Sequence, residues 1–215
     1  MKNILKISIL LAVLLLISNK SQASYFLWND ANNEFSFSFP DNWQRQNPTR
    51  AYSRIRVSSP LTEDKAECHV EAKEDNRFNI YTKTLMTTVV EENMGRDYWE
   101  TKLAGMYKKH NITEYYAPSI MGGRGDATAI RYSFNSDDDK KMYGAMIGSI
   151  YGGKQYVVEC RSVRNKFDAY SELFSRIMES VQLEQKYHPF AVGYYRDFIH
   201  AKGAFKRRKR RVSED

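Results

Sequence analysis

The sequence lacks the short motifs that usually mark an active site. Its four histidines, His69, His110, His188 and His200, form neither an H-E-x-x-H motif nor any pair at metal-ligand spacing. There is no G-x-S-x-G nucleophile turn and no phosphate-binding loop of the form G-x-x-x-x-G-K-[ST]. The glycine-rich residues 122–126 indicate a turn, and three letters of Arg-Gly-Asp are too few to indicate adhesion. The sequence therefore predicts no catalytic residue, no metal and no cofactor.

Cysteine is scarce, because only Cys68 and Cys160 occur in 215 residues. Both lie in alternating runs typical of strands, AECHVEA and YVVECRS, and the alternation directs both side chains to the apolar face. In an exported protein, an even pair placed in this way predicts a disulfide. The alternative is a pair of buried free thiols, since sequence cannot show that the two Cα atoms are close enough to be bridged.

Long apolar runs are confined to the N-terminus. Two lysines precede an apolar run over residues 7–17, and the small residues Ser21 and Ala23 occupy the −3 and −1 positions of a cleavage site. This layout predicts a secretory signal peptide over residues 1–23. A retained anchor is the alternative, but the run is short for a bilayer span, and no cysteine follows that could carry a lipid. We therefore expect a soluble protein that is periplasmic or secreted.

Excess charge of either sign is missing from most of the chain, although the formal net charge is +7. The predicted signal peptide contributes three lysines, and residues 186–215 contribute nine basic and three acidic side chains. Residues 24–185 then hold 21 basic and 23 acidic side chains, which is a net charge of −2. The predicted domain is nearly neutral, and the basic character belongs to the tail.

The tail, residues 186–215, combines six aromatic side chains with a run of six cations. The cations are Lys206, Arg207, Arg208, Lys209, Arg210 and Arg211. A solvated, disordered terminus is one interpretation. However, adjacent like charges repel, extend the chain and favour a polyanion. The preferred partner for an exported protein is an anionic surface of lipid or lipopolysaccharide headgroups. Nucleic acid is the second choice, and a nuclear address inside a host cell is a third.

Between the predicted signal peptide and the tail, the predicted strands and helices occur in runs of one type. Phe35, Phe37 and Phe39 alternate in a strand that Pro40 ends. Helical spacing covers residues 80–109, where D-x-x-E beginning at Asp97 predicts a capping box. Several alternating strands follow, two of them joined by a Gly-Gly turn, and a strongly amphipathic helix closes the order. Runs without regular β-α alternation predict an α+β fold, with helices covering an antiparallel sheet.

The opening motif, FSFSFPDNW at residues 35–43, resembles the start of PsbP-like domains. Three further segments follow in the family's order: IMGGRGDATAIRYSF, GGKQYVVECRS and FDAYSELFSRIMESVQL. The resemblance covers residues 34–183. Each motif is short, and their order and spacing carry the resemblance. The helical insert over residues 80–109 and the two cysteines are not features expected of every member of the family.

The resemblance implies an α/β/α sandwich, in which an antiparallel sheet lies between helices. In that fold the three phenylalanines of the first strand would pack on the terminal helix, and Trp43 would close the edge of the core. A fully buried Phe contributes roughly 1.5 to 3 kcal/mol, so these residues are expected to stabilise the fold. Members of the family are mostly non-catalytic: some assist photosystem II, a related fold binds the GTPase Ran, and many exported bacterial members have no assigned activity.

Three functional hypotheses follow. The first is an exported, non-catalytic binding or accessory protein of the cell envelope, with a globular domain at residues 24–185 and a basic tail that docks on an anionic surface. The second is a secreted effector whose tail is a nuclear-localisation or nucleic-acid-binding segment. The third is an envelope enzyme with an unrecognised site, which a cleft with convergent polar groups and perturbed carboxylates would favour.

Overall fold

The structure of the protein, a computed structural model, describes residues 24–78, 83–123 and 125–184. The predicted signal peptide, residues 1–23, and the tail, residues 186–215, lie outside the described residues. Signal cleavage and tail binding therefore stay predictions. No helix in the described part of the chain is long and apolar enough to cross a membrane.

The described residues form strands, helices and two short 3-10 turns. The strands are β1 (Tyr25–Asp30), β2 (Phe35–Pro40), β3 (Gln44–Gln46), β4 (Ser53–Ser58), β5 (Glu67–Glu74), β6 (His110–Met121), β7 (Gly125–Asn135), β8 (Lys141–Tyr151), β9 (Lys154–Val163) and β10 (Gln182–Leu183). The helices are α1 (Lys83–Asn93), α2 (Arg96–Met106) and α3 (Arg164–Glu179), and the 3-10 turns are Thr62–Asp64 and Asn76–Phe78.

Seven strands form the main sheet, in the order β3-β4-β5-β9-β8-β7-β6, and every pair is antiparallel. A smaller sheet has the order β1-β2-β10. The first face of the main sheet packs against α3 and the small sheet, and the second face packs against α1 and α2. Helices thus cover both faces of an antiparallel sheet, which confirms the predicted α+β sandwich.

The first core contains the three phenylalanines of β2, each at most 2% exposed. Pro40 is the last residue of β2, as predicted. Trp43 is 6% exposed, and its ring meets those of Tyr170 and Phe174 on α3 edge-on, at centroid distances of 6.4 Å. The predicted packing of the opening segment on the terminal helix is confirmed. Because apolar residues alternate along β2, one face of the strand is buried, and α3 completes the core on that face.

The second core lies beneath α2, where Trp99 is fully buried. Its indole Nε1 donates a hydrogen bond to Thr128 Oγ1 at 3.0 Å. A Cβ atom at Gly148 would lie 2.4 Å from Met94 Cε and 2.8 Å from the indole ring, so only glycine allows this approach of helix and strand. Gly148 on β8 therefore allows α2 to lie close to the sheet.

The predicted capping box on α2 is wrong. The helix begins at Arg96, its N-cap is Gly95, and no side chain caps it. Asp97 lies inside the first turn instead, where its negative charge still favours the positive end of the helix dipole. The pattern D-x-x-E specifies a cap only when the aspartate precedes the first helical residue, and here the helix starts two residues too early.

The predicted disulfide is present. Cys68 on β5 and Cys160 on β9 lie directly opposite each other, and their sulfur atoms are 2.07 Å apart. Both side chains are fully buried in the first core. Because side chains alternate along a strand, the residues beside them face the second side of the sheet.

Candidate functional site

One half of the second face carries charged side chains in place of an apolar core. Glu67, His69 and Glu71 of β5 and Glu159 and Arg161 of β9 point to this side, and all but Arg161 are buried. Buried charges persist in proteins only when they are paired and hydrogen-bonded. We call this cluster, together with its partners Arg50, Arg56, Lys102, Tyr107 and Tyr132, the charged network.

Glu159 is the centre of the charged network and is 1% exposed. Its Oε2 atom accepts a hydrogen bond from Arg50 Nη1 at 2.5 Å and lies 2.5 Å from His69 Nε2. Its Oε1 atom accepts one from the Tyr107 hydroxyl at 2.9 Å and another from the Tyr132 hydroxyl. Both oxygens are therefore occupied, and the carboxylate is held in one position.

Burial alone would raise the pKa of Glu159, since it disfavours the charged form. The charges of His69 and Arg50 and the hydrogen bond from His69 outweigh burial, and the pKa lies well below its usual value. The same balance lowers the pKa of Glu67, where burial opposes Arg161 and Arg56. Both groups are therefore carboxylates near neutral pH.

Glu67 joins two arginines from different strands. Its Oε2 atom accepts hydrogen bonds from Arg56 Nε at 3.0 Å and Nη2 at 2.6 Å, and its Oε1 atom accepts one from Arg161 Nε at 2.6 Å. Glu71 is held in a similar way, by Lys102 Nζ of α2 at 2.5 Å and Arg50 Nη1 at 3.2 Å. These carboxylates orient the guanidinium groups and connect α2 to β5.

Tyr107, the residue after α2, lies between two cations. Its hydroxyl accepts hydrogen bonds from Arg50 Nη2 at 3.0 Å and from Arg161 Nη1. Its ring stacks on Phe134 with a centroid distance of 3.8 Å, and the Arg161 guanidinium lies 5.7 Å from the Tyr107 centroid. Burial and the charge of Glu159 raise the pKa of Tyr107, so its hydroxyl is neutral at physiological pH.

A cleft of about 840 Å³ opens beside the charged network. It lies where the β4–β5 loop, the β7–β8 loop and the end of α2 converge. We call it the arginine cleft. Six cationic side chains line it: Arg50, Arg56, Lys65, Lys108, Lys109 and Arg161. Three acidic side chains also line it: Glu67, Asp137 and Asp139. Arg50 and Lys65 are compensated by Glu71, Glu159 and Asp138, which do not line the cleft. The remaining cations favour an anion.

The cations reach the arginine cleft from different sides. Arg56 and Arg161 belong to the sheet, whereas Lys108 and Lys109 lie between α2 and β6 and are exposed. Within the described residues, no acidic side chain pairs with either lysine. Lys65 is different, because its Nζ atom binds Asp138 Oδ2 at 2.6 Å and links the two loops.

Gly105 lies in the last turn of α2 and lines the arginine cleft. A Cβ atom built there would meet nothing within 4 Å, so packing does not require this glycine. In a helix interior, glycine costs about 1 kcal/mol relative to alanine. Gly105 is exposed, so a larger side chain there would add bulk at the border of the arginine cleft.

This arrangement suits holding an anion better than acid–base chemistry. A general acid needs a carboxyl pKa raised toward neutrality, whereas those of Glu67 and Glu159 are lowered by ion pairs. Carboxylates with shifted pKa values beside a cleft would favour an enzyme. Here both pKa values are lowered, which favours a role for these charges in stabilising the fold. Among the residues that the structure describes, no group of three or more His, Cys, Asp and Glu side chains is placed to hold a metal.

The sequence-predicted site residues fall in two places. Cys68 and Cys160 lie on the reverse of the sheet strands that carry the charged network. The polyanion-binding residues 206–211 lie outside the described residues. Sequence reasoning missed the whole charged network, although a signal was present. The alternating row Glu67, His69 and Glu71 is visible in the sequence, but it indicates a site only once the sheet is known to be covered on both faces.

Comparison with solved structures agrees with the architecture. The solution structure of cyanobacterial PsbP from Synechocystis matches with a TM-score of 0.54 and 14% identity, covering 77% of this chain and 96% of that protein. At this identity the likeness shows the fold alone, and the chain has a PsbP-like fold.

Two further structures match less closely. LpqN of Mycobacterium tuberculosis, described as involved in cell envelope biogenesis, has a TM-score of 0.49 and 10% identity, covering 75% of this chain and 91% of its own. A Pseudomonas aeruginosa protein of unknown function, described as a putative regulator, has a TM-score of 0.43 and 10% identity, covering 75% and 99%. No protein-family model and no curated protein sequence matches the chain.

Proposed function

We propose that the protein is an exported accessory protein of the cell envelope that binds an anionic group in the arginine cleft without transforming it. The observation that carries this proposal is that Lys108 and Lys109, which have no acidic partner among the described residues, line one cavity together with Arg56 and Arg161. Its volume of about 840 Å³ is within the range of small-molecule sites.

Two of the cations, Arg56 and Arg161, are already held in position before a ligand arrives. Arg56 uses Nε and Nη2 to bind Glu67, and no acceptor among the described residues lies at its Nη1. Arg161 is held by Glu67 and Tyr107. Side chains that are ordered in advance lose less entropy on binding, and guanidinium groups match the geometry of carboxylates and phosphates. The charged network therefore supports binding with little rearrangement.

Export is supported by the N-terminal layout of the sequence and by the disulfide between Cys68 and Cys160. It predicts a mature chain that begins at Ser24. Intact mass of the purified protein and fractionation into periplasm, envelope and medium test this step. A cytoplasmic pool that keeps residues 1–23 would contradict export.

The basic tail adds a second contact in this proposal. Residues 206–211 would dock on anionic lipid or lipopolysaccharide headgroups, because six adjacent cations attract a polyanionic surface. The domain carries almost no net charge of its own. The tail would then locate the protein at the envelope, while the arginine cleft receives its ligand.

Calorimetric titration of the mature full-length chain with inorganic pyrophosphate tests the cleft. The double variant Lys108→Ala and Lys109→Ala removes two exposed cations of the cleft and should weaken binding at least five-fold. The matched control, Lys73→Ala with Arg131→Ala, removes two exposed cations that do not line the cleft. Every variant keeps the tail, so tail binding is common to all. Equal weakening by both double variants would refute the cleft as the site.

A further inference from the structure

The arginine cleft is not lined by charge alone. Leu61, in the β4–β5 loop, lines it and is 52% exposed, which is unusual for a leucine in a cavity. Met106, the last residue of α2, is half-buried and lines it as well. Gly105 beside it also lines the cleft, and no atom lies within 4 Å of the position that its Cβ atom would take. A cavity with cations and exposed apolar side chains favours a ligand that has both kinds of surface.

The charge surplus also restricts the anionic group. Lys108 and Lys109 bring two positive charges to the cleft, and no acidic side chain among the described residues pairs with them. A carboxylate offers one charge and two oxygens, whereas a phosphate monoester offers up to two charges and three terminal oxygens. Donors come from the sheet through Arg56 and from the connection between α2 and β6 through Lys108 and Lys109. Donors on separate sides fit a tetrahedral group better than a planar one.

The geometry points to a specific ligand class: a phosphate monoester that carries a short apolar chain. Its phosphate would lie against Arg56, Arg161 and the two lysines of the α2–β6 connection, and its apolar chain would lie against Leu61 and Met106 in the space that Gly105 leaves open. This inference rests on the proposed function, and it names the ligand class for the same cleft. A lipid headgroup with its acyl chains and a soluble alkyl phosphate share this chemistry.

Three probes separate the parts of the inference: inorganic phosphate, hexyl phosphate and hexanoate, each titrated into the mature full-length chain. Hexyl phosphate should bind at least ten-fold more tightly than inorganic phosphate, because its chain gains apolar contact. It should also bind at least ten-fold more tightly than hexanoate. Equal affinity for inorganic and hexyl phosphate would overturn the apolar part, and equal affinity for hexyl phosphate and hexanoate would overturn the phosphate part.

Two variants locate the binding. Leu61→Ser should reduce the preference for hexyl over inorganic phosphate at least three-fold, and leave inorganic phosphate binding unchanged. Leu85→Ser is the matched control, since Leu85 is also 52% exposed but does not line the cleft. Gly105→Leu should weaken all phosphate probes by filling the cleft. A preference that Leu61→Ser and Gly105→Leu leave intact would overturn the assignment.

A final arm distinguishes the source of the phosphate. The full chain with residues 206–211 replaced by serine is mixed with phosphatidylcholine vesicles that contain phosphatidic acid. Binding that Gly105→Leu abolishes identifies a lipid headgroup, and hexyl phosphate binding without vesicle binding identifies a soluble phosphate. If neither pyrophosphate nor any of the three probes binds, the proposed function fails with the inference. If pyrophosphate binds in the cleft but hexyl phosphate has no advantage, only the inference fails.

Discussion

His69 on β5 and Glu159 on β9 lie directly opposite each other, with Nε2 and Oε2 2.5 Å apart. Cys68, just before His69, and Cys160, just after Glu159, form the disulfide on the reverse face of the sheet. A covalent link and a buried hydrogen bond thus join the same two strands at the same level, on opposite sides of the sheet. The disulfide stabilises the register on which the charged network depends, because a slip of one residue would exchange the two faces.

Removing the disulfide should lower stability without changing the fold class. Cys68 and Cys160 are 92 residues apart, and closing a loop of that length contributes on the order of 4 kcal/mol by chain entropy. Cys68→Ser, Cys160→Ser and the double variant should lose similar free energies of unfolding in urea. Two titratable thiols in the denatured, non-reduced protein would contradict the bond.

Glu159→Gln should be strongly destabilising. It removes the charge that compensates Arg50 in a buried position, and breaking such a pair costs about 3 to 5 kcal/mol. Glu114→Gln is the control, since Glu114 forms an exposed pair with Arg131 and should cost less than about 1 kcal/mol. Urea unfolding at pH 7 measures both. A Glu159→Gln variant as stable as the control would show that the network contributes little.

Acidification should destabilise the protein below about pH 4.5, the usual pKa of a glutamate. The folded-state pKa values of Glu67 and Glu159 are lowered, so below this pH the unfolded state binds more protons than the folded state. Their contribution is complete above pH 4.5 and is lost as the pH falls toward the folded-state values. The groups that face them are Arg50, Arg56, His69, Tyr107, Tyr132 and Arg161.

Urea unfolding between pH 7 and pH 2.5 checks this dependence. The Glu159→Gln variant should show a shallower fall in stability over the acidic range, because one of the two responsible carboxylates is gone. A variant whose stability falls as steeply as that of the wild type would assign the acid sensitivity to other groups.

Gly105→Ala should stabilise the protein by about 0.5 to 1 kcal/mol, because alanine favours a helix and its Cβ atom meets nothing. Gly148→Ala is the opposite case, since its Cβ atom would lie 2.4 Å from Met94 and 2.8 Å from Trp99. That change should destabilise the protein by about 1 to 3 kcal/mol through overpacking. Thermal unfolding compares the two. A destabilised Gly105→Ala would show that the glycine serves the fold and not the open cleft.

Deleting residues 206–215 should leave thermal unfolding almost unchanged and abolish retention on heparin and on vesicles of phosphatidylglycerol, whose phosphate is a diester and not the monoester inferred for the cleft. The remaining domain has almost no net charge, so a polyanion has little to attract it. Binding by the full chain should also weaken steeply with salt, because each ionic contact releases counterions. A truncated protein that binds heparin and vesicles as the full chain does, at every salt concentration, would rule out the tail.

Several features could be predicted from the sequence because they depend on local periodicity. Alternation in β2 specified which phenylalanines are buried, and alternation in β5 and β9 put both cysteines on one face. The double glycine that separates β8 from β9 has positive φ values of 58° and 76°, as a tight hairpin turn requires. Each of these depends on a few neighbouring residues, and tertiary contacts only completed them.

The charged network could be decided only by the tertiary structure. Along β5, the row Glu67, His69 and Glu71 looks the same whether it meets water or a buried partner. The difference comes from Arg50 in a loop, Tyr107 after a helix and Glu159 on a strand 90 residues away, which no local pattern brings together. Helix α2 covers part of the second face and stops at the cleft, so the remaining charges pair with one another while the cations beyond them stay available to a ligand.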